Sequence, residues 1–428
     1  MIFFYLLVSV MPMTHHPLWG RVVGEVTVIK YVGGACVLYA ILHLFVRRRP
    51  PRFFASWQAR LFVVFYLLAA LSFLTTSLPT DLRFSPFLSY TSFLGLFFIT
   101  LTVVDSVNRF RWVLLVAIGS VAFASLYVLR EWQKFHSVYR DFRPGWVVGD
   151  PNYFTVSALV VIPLAFYLLI ERRPLWERAF CLGSLIVSLL AVMVAASRGG
   201  FLGLLAACTF IVWRSRQRVR NLVVMASLLL PIALIAPASP VKRLLHPVHG
   251  DNEAEQRRLV VWAAGLRMIG EHPLAGVGLG NFKPIVSEYE GPQEDVETVA
   301  HNAYIDIAAE MGLPALLVFL GVVYFSFRNL GRTSRWATEH SPMLLRQGAL
   351  GLQAGLLASS VAIVFVSGQF QKLLWLAVFL SMSAAFLRED LANQEAAEEK
   401  TEPVQVAPLG EPARSGSRSG PLKSFSQR

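Results

Sequence analysis

The sequence has few charged residues: only 15% of its 428 residues are Asp, Glu, Lys or Arg. Hydrophobic residues make up 55%, and long apolar runs follow one another along most of the chain. Because about a quarter of the residues in a typical soluble domain are charged, this composition excludes an ordinary soluble protein. It predicts an all-α, polytopic integral membrane protein whose surroundings are the lipid bilayer.

Cysteines and metal ligands are also scarce. Cys36, Cys181 and Cys208 lie far apart in apolar runs, without histidines at ligand spacing, so we expect neither disulfides nor a zinc site. His246 and His249 form a pair without a third ligand nearby. No DxD-like carboxylate pair stands in the loops that we assign to the outer side. The sequence therefore predicts chemistry without a metal or cofactor.

A helix needs about 20 apolar residues to cross a bilayer. By that rule the chain has about 11–12 spans, the number depending on a short first run, with a long helical loop before the last three. The predicted spans lie near 2–12, 23–46, 61–78, 86–104, 112–129, 153–170, 179–196, 200–213, 221–237, 313–327, 348–367 and 371–387.

The net charge of +12 is explained by the loops between these spans. Short cytoplasmic loops of membrane proteins are rich in Lys and Arg. This rule assigns alternate loops and both termini to the cytoplasm, so the basic balance does not indicate nucleic acid. The arginine-rich loops are 47–60, 109–111, 172–178, 214–220 and 328–346.

The chain is thereby divided into four predicted regions. Transmembrane helices occupy 1–237 and 313–387, and the outer loop over 238–312 carries two amphipathic helices. The tail, 388–428, is first acidic and then rich in Pro, Gly and Ser, with few residues that could form a core. Such a composition predicts a disordered cytoplasmic extension.

Arg198 is the first candidate for chemistry, because it lies between two apolar runs on the predicted outer face, within Ser197–Gly200. An arginine near hydrocarbon is costly unless it reaches water or an anion, and an interfacial snorkelling arginine is the alternative. Its glycine neighbours would let a ligand approach the backbone. A phosphate or diphosphate fits this position, since a guanidinium binds phosphate oxygens bidentately.

The outer loop supplies a second cation. Residues 253–269 have the periodicity of an amphipathic helix, which carries Arg258 one turn before Trp262. The guanidinium either packs on the indole or faces a phosphate. Further along, Gly276–Gly280 lacks the strand and helix of a nucleotide-binding loop, and it favours a tight connector.

His301 is the candidate base. We predict a second helix over 297–311 that ends at Gly312, with His301 off its apolar stripe and one turn after Glu297, which could orient the imidazole. A lone histidine is often structural, but this one lies on the outer face near candidate anion-binding arginines. That placement favours proton transfer.

At these residues the chain resembles the O-antigen ligase and polymerase superfamily of bacterial inner-membrane proteins. The motifs do not separate its ligases, repeat-unit polymerases and protein O-oligosaccharyltransferases. The matching pieces are Asp150–Asn152, Ser197–Gly200, Arg258–Trp262, His272–Gly278, His301–Tyr304, Glu310–Pro314 and Lys372–Trp375.

The resemblance implies a metal-independent, GT-C-like glycosyltransferase whose active site faces the periplasm. The donor would be a glycan on undecaprenyl diphosphate, and the acceptor lipid A core, a growing polysaccharide or a protein, as in lipopolysaccharide biosynthesis. By carry-over, Arg198 and Arg258 would hold the diphosphate, while His301 would activate the acceptor hydroxyl or contact the leaving group. The resemblance also makes substrate contacts of Asp150, Asn152, Asn302 and Lys372.

A membrane transporter of a small solute is the main alternative. Transporters tend to place ionisable residues at mid-membrane, whereas the charged residues well inside a predicted span here are Glu25 and Lys30, both near one end. A non-catalytic partner in polysaccharide export is a third hypothesis. It predicts that Arg198 and His301 are dispensable.

Overall fold

A computed structural model gives the fold. It describes residues 1–13, 22–23, 26–46, 52–76, 80–138, 142–145, 150–171, 173–215, 217–235, 251–290, 298–340 and 343–401. Predictions for His246, His249 and Glu297 lie outside these residues.

The described residues are almost entirely helical. A two-residue hairpin pairs β1 (Val22–Val23) with β2 (Val26–Thr27) in antiparallel register. Short 3₁₀ turns occur at Met11–Met13, Val286–Tyr289, Ile363–Phe365 and Gly368–Phe370. The helices are α1 (Ile2–Val10), α2 (Val28–Val46), α3 (Trp57–Thr75), α4 (Thr80–Val103), α5 (Val107–Phe135), α6 (Pro151–Leu169), α7 (Leu175–Ala195), α8 (Arg198–Arg214), α9 (Arg218–Ile235), α10 (Asp251–Glu271), α11 (Phe282–Ile285), α12 (Ala303–Glu339), α13 (Met343–Ala362) and α14 (Lys372–Thr401).

The predicted all-α, polytopic fold class is confirmed. Each predicted span coincides with a helix, and 8 helices of the described chain are long and apolar enough to cross a membrane. The predicted number was larger because it also included runs on less suitable helices. Of these, α1 has 9 residues, α8 has 17, and α14 has charged residues at both ends of its apolar stretch.

The region predicted to be disordered from residue 388 begins with helix, because α14 continues to Thr401. Ala, Glu, Leu and Gln dominate Glu389–Thr401, and these residues have high helix propensity even where they bury little surface. A low content of core-forming residues was therefore not a sufficient sign of disorder there. The rest of the predicted tail, 402–428, lies outside the described residues.

Helices α6 and α13 share the most extensive helix–helix contact of the described chain, and α6 is the most buried of the candidate spans. Glycines of α13 face its neighbours. A Cβ added to Gly351 would lie 2.6 Å from Cα of Leu164, and one added to Gly355 would lie 2.4 Å from the carbonyl oxygen of Val160. Small residues let membrane helices approach this closely. These glycines therefore fix the position of α6 against α13.

We expect Gly355→Leu to destabilise the protein strongly, because a side chain would push α13 away from the backbone of α6. Overpacking alone costs about 1–3 kcal/mol, and a backbone has less freedom to yield than a side chain. Gly183→Leu on α7 is the matched control, since a Cβ there meets nothing within 4 Å. Thermal unfolding of both variants in detergent checks this, and equal unfolding temperatures would contradict it.

The described part of the outer loop is ordered and has its own apolar core. Side chains of α10, α11 and the start of α12 form it, among them Met268, Phe282 and Ala309. The connector through Gly276–Gly280 lies against the backbone of α12: Val277 N–H donates to the carbonyl oxygen of Ala309 at 2.7 Å. A Cβ on Gly276, where φ is 68°, would come within 2.4 Å of that backbone. The prediction of a tight connector is confirmed.

The second loop helix differs from its prediction. Helix α12 begins at Ala303 instead of residue 297, because Asn302 is its N-cap. Gly312, with φ 82° and ψ 168°, interrupts the helix where a stop was predicted, after which the helix resumes. His301 therefore lies in the turn before the helix, and the prediction that it lies on the helix was wrong.

Candidate active site

A cavity opens where the start of α6, the α7–α8 junction, α10 and the end of α13 meet. Its walls include three arginines, Arg143, Arg198 and Arg258, together with Asn152 and Phe365. Arg198 and Arg258 come from segments that the sequence separates by about 60 residues. The structure thus brings Arg198, Arg258 and Asn152 to one cavity, as the prediction of a shared outer face requires.

Arg198 is the first residue of α8, and Ser197 caps the helix by accepting from the N–H of Gly200 at 3.2 Å. Its Nη1 atom lies 3.3 Å from Oε2 of Glu255 on α10, and both side chains are partly exposed. This acidic neighbour is distant in sequence and was not anticipated. Exposed pairs of this kind contribute about 0–1 kcal/mol, so an anion of higher charge can compete with Glu255.

The two glycines after Arg198 line the arginine cavity, and they also let helices pack closely. A Cβ on Gly199 would lie 2.7 Å from Cβ of Phe365, and one on Gly200 would lie 2.0 Å from Cγ2 of Thr155. They allow α8 to sit against α6 and Phe365. This packing fixes the position from which the Arg198 side chain starts.

Arg143 was missed by the sequence reasoning. Its Nη2 donates to Oδ1 of Asn152 at 2.8 Å, and its Nε donates to the carbonyl oxygen of Ala195 at 3.1 Å. It thereby ties the segment before α6 to the end of α7. The signal that could have found it was the one used for Arg198: an arginine in a predicted outer loop, against the usual charge bias.

Asp150 and Asn152 have separate tasks at the start of α6. Asp150 is the N-cap, and its Oδ1 accepts from the N–H groups of Asn152 at 2.7 Å and Tyr153 at 3.3 Å. Such caps typically stabilise a helix by about 1 kcal/mol. Asn152, by contrast, presents its side chain to Arg143 in the cavity wall.

The turn that carries His301 is held on both sides. The backbone carbonyl oxygen of Ala300 accepts a hydrogen bond from the indole N–H of Trp262 at 2.8 Å. The backbone N–H of Ala300 donates to Oδ1 of Asp306 at 3.2 Å. Asn302 then caps α12, accepting from the N–H groups of Tyr304 and Ile305. Trp262 thus links the His301 turn to α10, the helix of Arg258.

Burial and the nearby Arg258 favour the neutral form of His301. Burial lowers the pKa of His301, the nearby Arg258 lowers it further, and the carboxylate of Asp150 opposes the shift. His301 is thus close enough to Arg258 and Asp150 for their charges to act on it, although it is not part of the cavity wall itself. A neutral imidazole is the form that can accept a proton.

This arrangement can be compared with known proteins. Residues 183–320 match the family model described as O-antigen ligase. The match supports the resemblance to the O-antigen ligase and polymerase superfamily. The matched residues run from α7 into α12 and contain Arg198, Arg258 and His301. No curated protein was found to match the chain.

Backbone strain marks the same place in the structure. Among the described residues, two that are not glycine have a left-handed backbone, Ala196 with φ 50° and His301 with φ 49°. Ala196 lines the arginine cavity. Such conformations cost about 1–3 kcal/mol each and cluster at functional sites. Their positions, directly before Ser197 and Asn302, set the directions in which α8 and α12 start.

The other residues predicted to contact substrate do not all line the arginine cavity. Lys372 begins α14 and does not line the arginine cavity. Asp150 and Asn302, which were predicted to contact substrate, each use a side-chain oxygen to cap the start of a helix. Within the described residues, no group of three or more His, Cys, Asp or Glu side chains is placed to hold a metal ion.

Proposed function

We propose that this protein transfers a glycan from undecaprenyl diphosphate to an acceptor hydroxyl at the periplasmic face of the bacterial inner membrane. The family match supports a membrane glycosyltransferase of the O-antigen ligase or polymerase type. The observation that carries the proposal further is the cavity of Arg143, Arg198 and Arg258, with the half-buried His301 close enough to Arg258 for its charge to act on the imidazole.

The donor diphosphate is proposed to lie in this cavity. Three guanidinium groups line the cavity, and a guanidinium can bind two phosphate oxygens at once. Helices α6 and α8 both begin at the cavity. Because a helix N-terminus carries a partial positive charge of about +0.5, both helices favour an anion at this point.

The reaction needs one proton acceptor and stabilisation of one leaving group. The acceptor oxygen would form a bond to the anomeric carbon as its proton passes to the imidazole of His301. The bond from that carbon to the diphosphate oxygen would break, and its electron pair would remain on the diphosphate. The arginines would stabilise this charge in place, as positioned cations do in other transferases. His301 and the arginines then account for both requirements.

The acceptor is proposed at the level of its reacting group, an uncharged hydroxyl. Lipid A core, the end of a growing polysaccharide and a protein side chain all present such a group. Each would approach His301 from the periplasmic side. Helix α10 borders the cavity there, and the hydrogen bond from Trp262 to Ala300 ties the His301 turn to this helix.

Transfer by the purified protein tests the proposal. We expect liposomes containing the protein to convert an undecaprenyl-diphosphate-linked glycan and one of the three acceptor types to a new glycoside, in the presence of a chelator. Product analysis by mass spectrometry measures the new bond. Solute uptake by the same liposomes, without glycoside from any acceptor, would instead support the transporter hypothesis.

Topology is the second test, because the proposal needs the arginine cavity on the periplasmic side. A reporter fused after Arg216, within a short arginine-rich loop, should be cytoplasmic according to the positive-inside rule. One fused near Gly250, in the predicted outer loop, should be periplasmic. Paired alkaline phosphatase and fluorescent protein fusions measure this, and both sites on one side would contradict the assignment.

A further inference from the structure

Helix α10 is apolar on two opposite sides, and one of them lies in the core of the outer loop. Val261, Ala264 and Met268 are buried in that core. On the other side, Leu259 and Leu266 are 59% and 60% exposed. A surface helix of a soluble domain normally has polar residues opposite its buried face, so the exposed leucines of α10 indicate a second apolar environment.

The exposed apolar residues form a strip along the helix. Leu259, Ala263, Leu266 and Gly270 are separated by 4, 3 and 4 residues, the spacing of one helix face. A Cβ on Gly270 would meet nothing within 4 Å, so the surface is open there. Leu274, which is 77% exposed, follows in the turn after the helix. We call these five residues the α10 strip.

A similar strip marks one side of α12 beyond Gly312. Leu313, Leu317, Leu320 and Tyr324 are exposed, and they too follow one another at 4, 3 and 4 residues. Helix α12 is a candidate membrane span, and the exposed apolar side of a span contacts lipid. This α12 strip therefore shows which side of the span faces the bilayer.

The two strips meet where the connector crosses the start of the span. The N–H of Leu313 donates to the carbonyl oxygen of Pro273 at 2.8 Å. A Cβ on Gly312 would lie 2.3 Å from the carbonyl oxygen of Leu274. The backbone of Leu274 thus lies beside the first residue of the α12 strip. Exposed apolar residues continue from the span onto the outer loop.

Charged residues border the α10 strip. Arg267, next to Leu266, is exposed. Glu255, one turn before Leu259, lies 3.3 Å from Arg198 across the arginine cavity, so an ion pair partly offsets its charge. Helices that lie in a membrane interface combine an apolar face with basic residues on the polar face. The distribution of charge on α10 is compatible with that position.

We propose that the α10 strip docks onto the bilayer leaflet next to the outer loop, so that α10 lies in the membrane interface. The inference goes beyond the proposed function, because it concerns the bilayer and does not depend on the reaction. Contact with lipid removes the exposed leucines from water. Helix α10 carries Arg258, and Trp262 ties it to the His301 turn. Docking thereby holds both groups near the depth of the lipid headgroups.

A nitroxide spin label on Leu266→Cys measures the depth of the strip in liposomes. A Cys208→Ser background directs the label to this site, since Cys36 and Cys181 are buried. Oxygen concentrates in the bilayer and a nickel chelate stays in water, so the ratio of their collision rates with the label gives its depth. We expect the label about 5–10 Å inside the headgroup boundary.

Arg257→Cys in the same background is the matched control. Arg257 is exposed on the same helix but lies four residues before Val261, on the side opposite the strip. Its label should be in water. Equal nickel exposure at positions 257 and 266 would show that the strip faces water, and it would overturn the inference. A label at position 266 shielded from both reagents would show that protein, such as a second copy of the chain, covers the strip. That result would overturn it as well.

Charge on the strip gives an independent test. A label on Ala263→Cys should lie in the interface, and adding Leu259→Glu and Leu266→Glu should move it about 5–10 Å outward into water. Both leucines are exposed, so the protein should stay folded, and thermal unfolding in detergent checks this. An unchanged depth at position 263 in the folded variant would contradict docking through the strip.

Discussion

His301→Ala should abolish glycan transfer by the purified protein while expression and donor binding stay near wild-type levels. A positioned base typically contributes about 10²–10⁴-fold to the rate, and the structure places this imidazole beside Arg258 with its pKa lowered by burial. Single-turnover transfer from the lipid-linked donor measures the loss. Wild-type transfer by the alanine variant would remove His301 from the mechanism. It would support the hypothesis of a non-catalytic partner in polysaccharide export.

Two further variants separate the side chain of His301 from its backbone. His301 has φ 49°, a conformation that glycine adopts at no steric cost. His301→Gly should thus be as inactive as the alanine variant but at least as stable in thermal unfolding. His301→Gln keeps a hydrogen-bonding group without basicity, and it should be nearly inactive if the residue accepts a proton. Substantial activity of the glutamine variant would favour phosphate binding instead.

The pH profile carries the same argument. A base must be neutral, so kcat should fall as pH decreases through the pKa of His301, which burial and Arg258 place below its usual value. Arg258→Gln removes the positive charge that lowers the pKa of His301. The acidic limb of the kcat profile should then move to higher pH, whatever the effect of the substitution on KM. A shift to lower pH would show that another group titrates.

Sequence reasoning anticipated that residues from distant segments would share one face. Arg198, Arg258 and Asn152 lie in segments that the arginine-rich loops place on one face, and the structure brings them to one cavity. The spans were predictable for the same reason, since hydrophobic length is a property of the sequence alone.

The features that the sequence analysis missed depend either on a local capping preference that overrides helical periodicity or on contacts between distant residues. The helix containing His301 was predicted to begin too early, because the periodicity of 297–311 gave no weight to Asn302, a strong N-cap residue. Arg143 stands in a short segment without helical periodicity, and its bonds to Asn152 and Ala195 arise only from tertiary packing. The Arg198–Glu255 pair joins residues 57 positions apart, which no local pattern reveals.

Arg198→Lys should impair transfer by at least about tenfold in kcat/KM, although it conserves the positive charge. A lysine ammonium is a point charge and cannot reproduce the two parallel bonds that a guanidinium makes to phosphate oxygens. The packing of Gly199 and Gly200 fixes where this side chain starts, so a shorter reach cannot be regained by moving α8. Arg198→Ala should lose more activity than the lysine variant.

Glu255→Gln is the control for this prediction, because it breaks the Arg198–Glu255 pair and leaves the guanidinium in place. If that pair is only displaced when the donor binds, the glutamine variant should keep full activity. Its KM for the donor should stay the same or fall by up to about fivefold, since exposed pairs contribute at most about 1 kcal/mol. If Arg198 instead acts by anchoring α10 through Glu255, Glu255→Gln should be as impaired as Arg198→Lys. Full activity in Arg198→Lys would leave Arg198 as an interfacial anchor without a role in binding diphosphate.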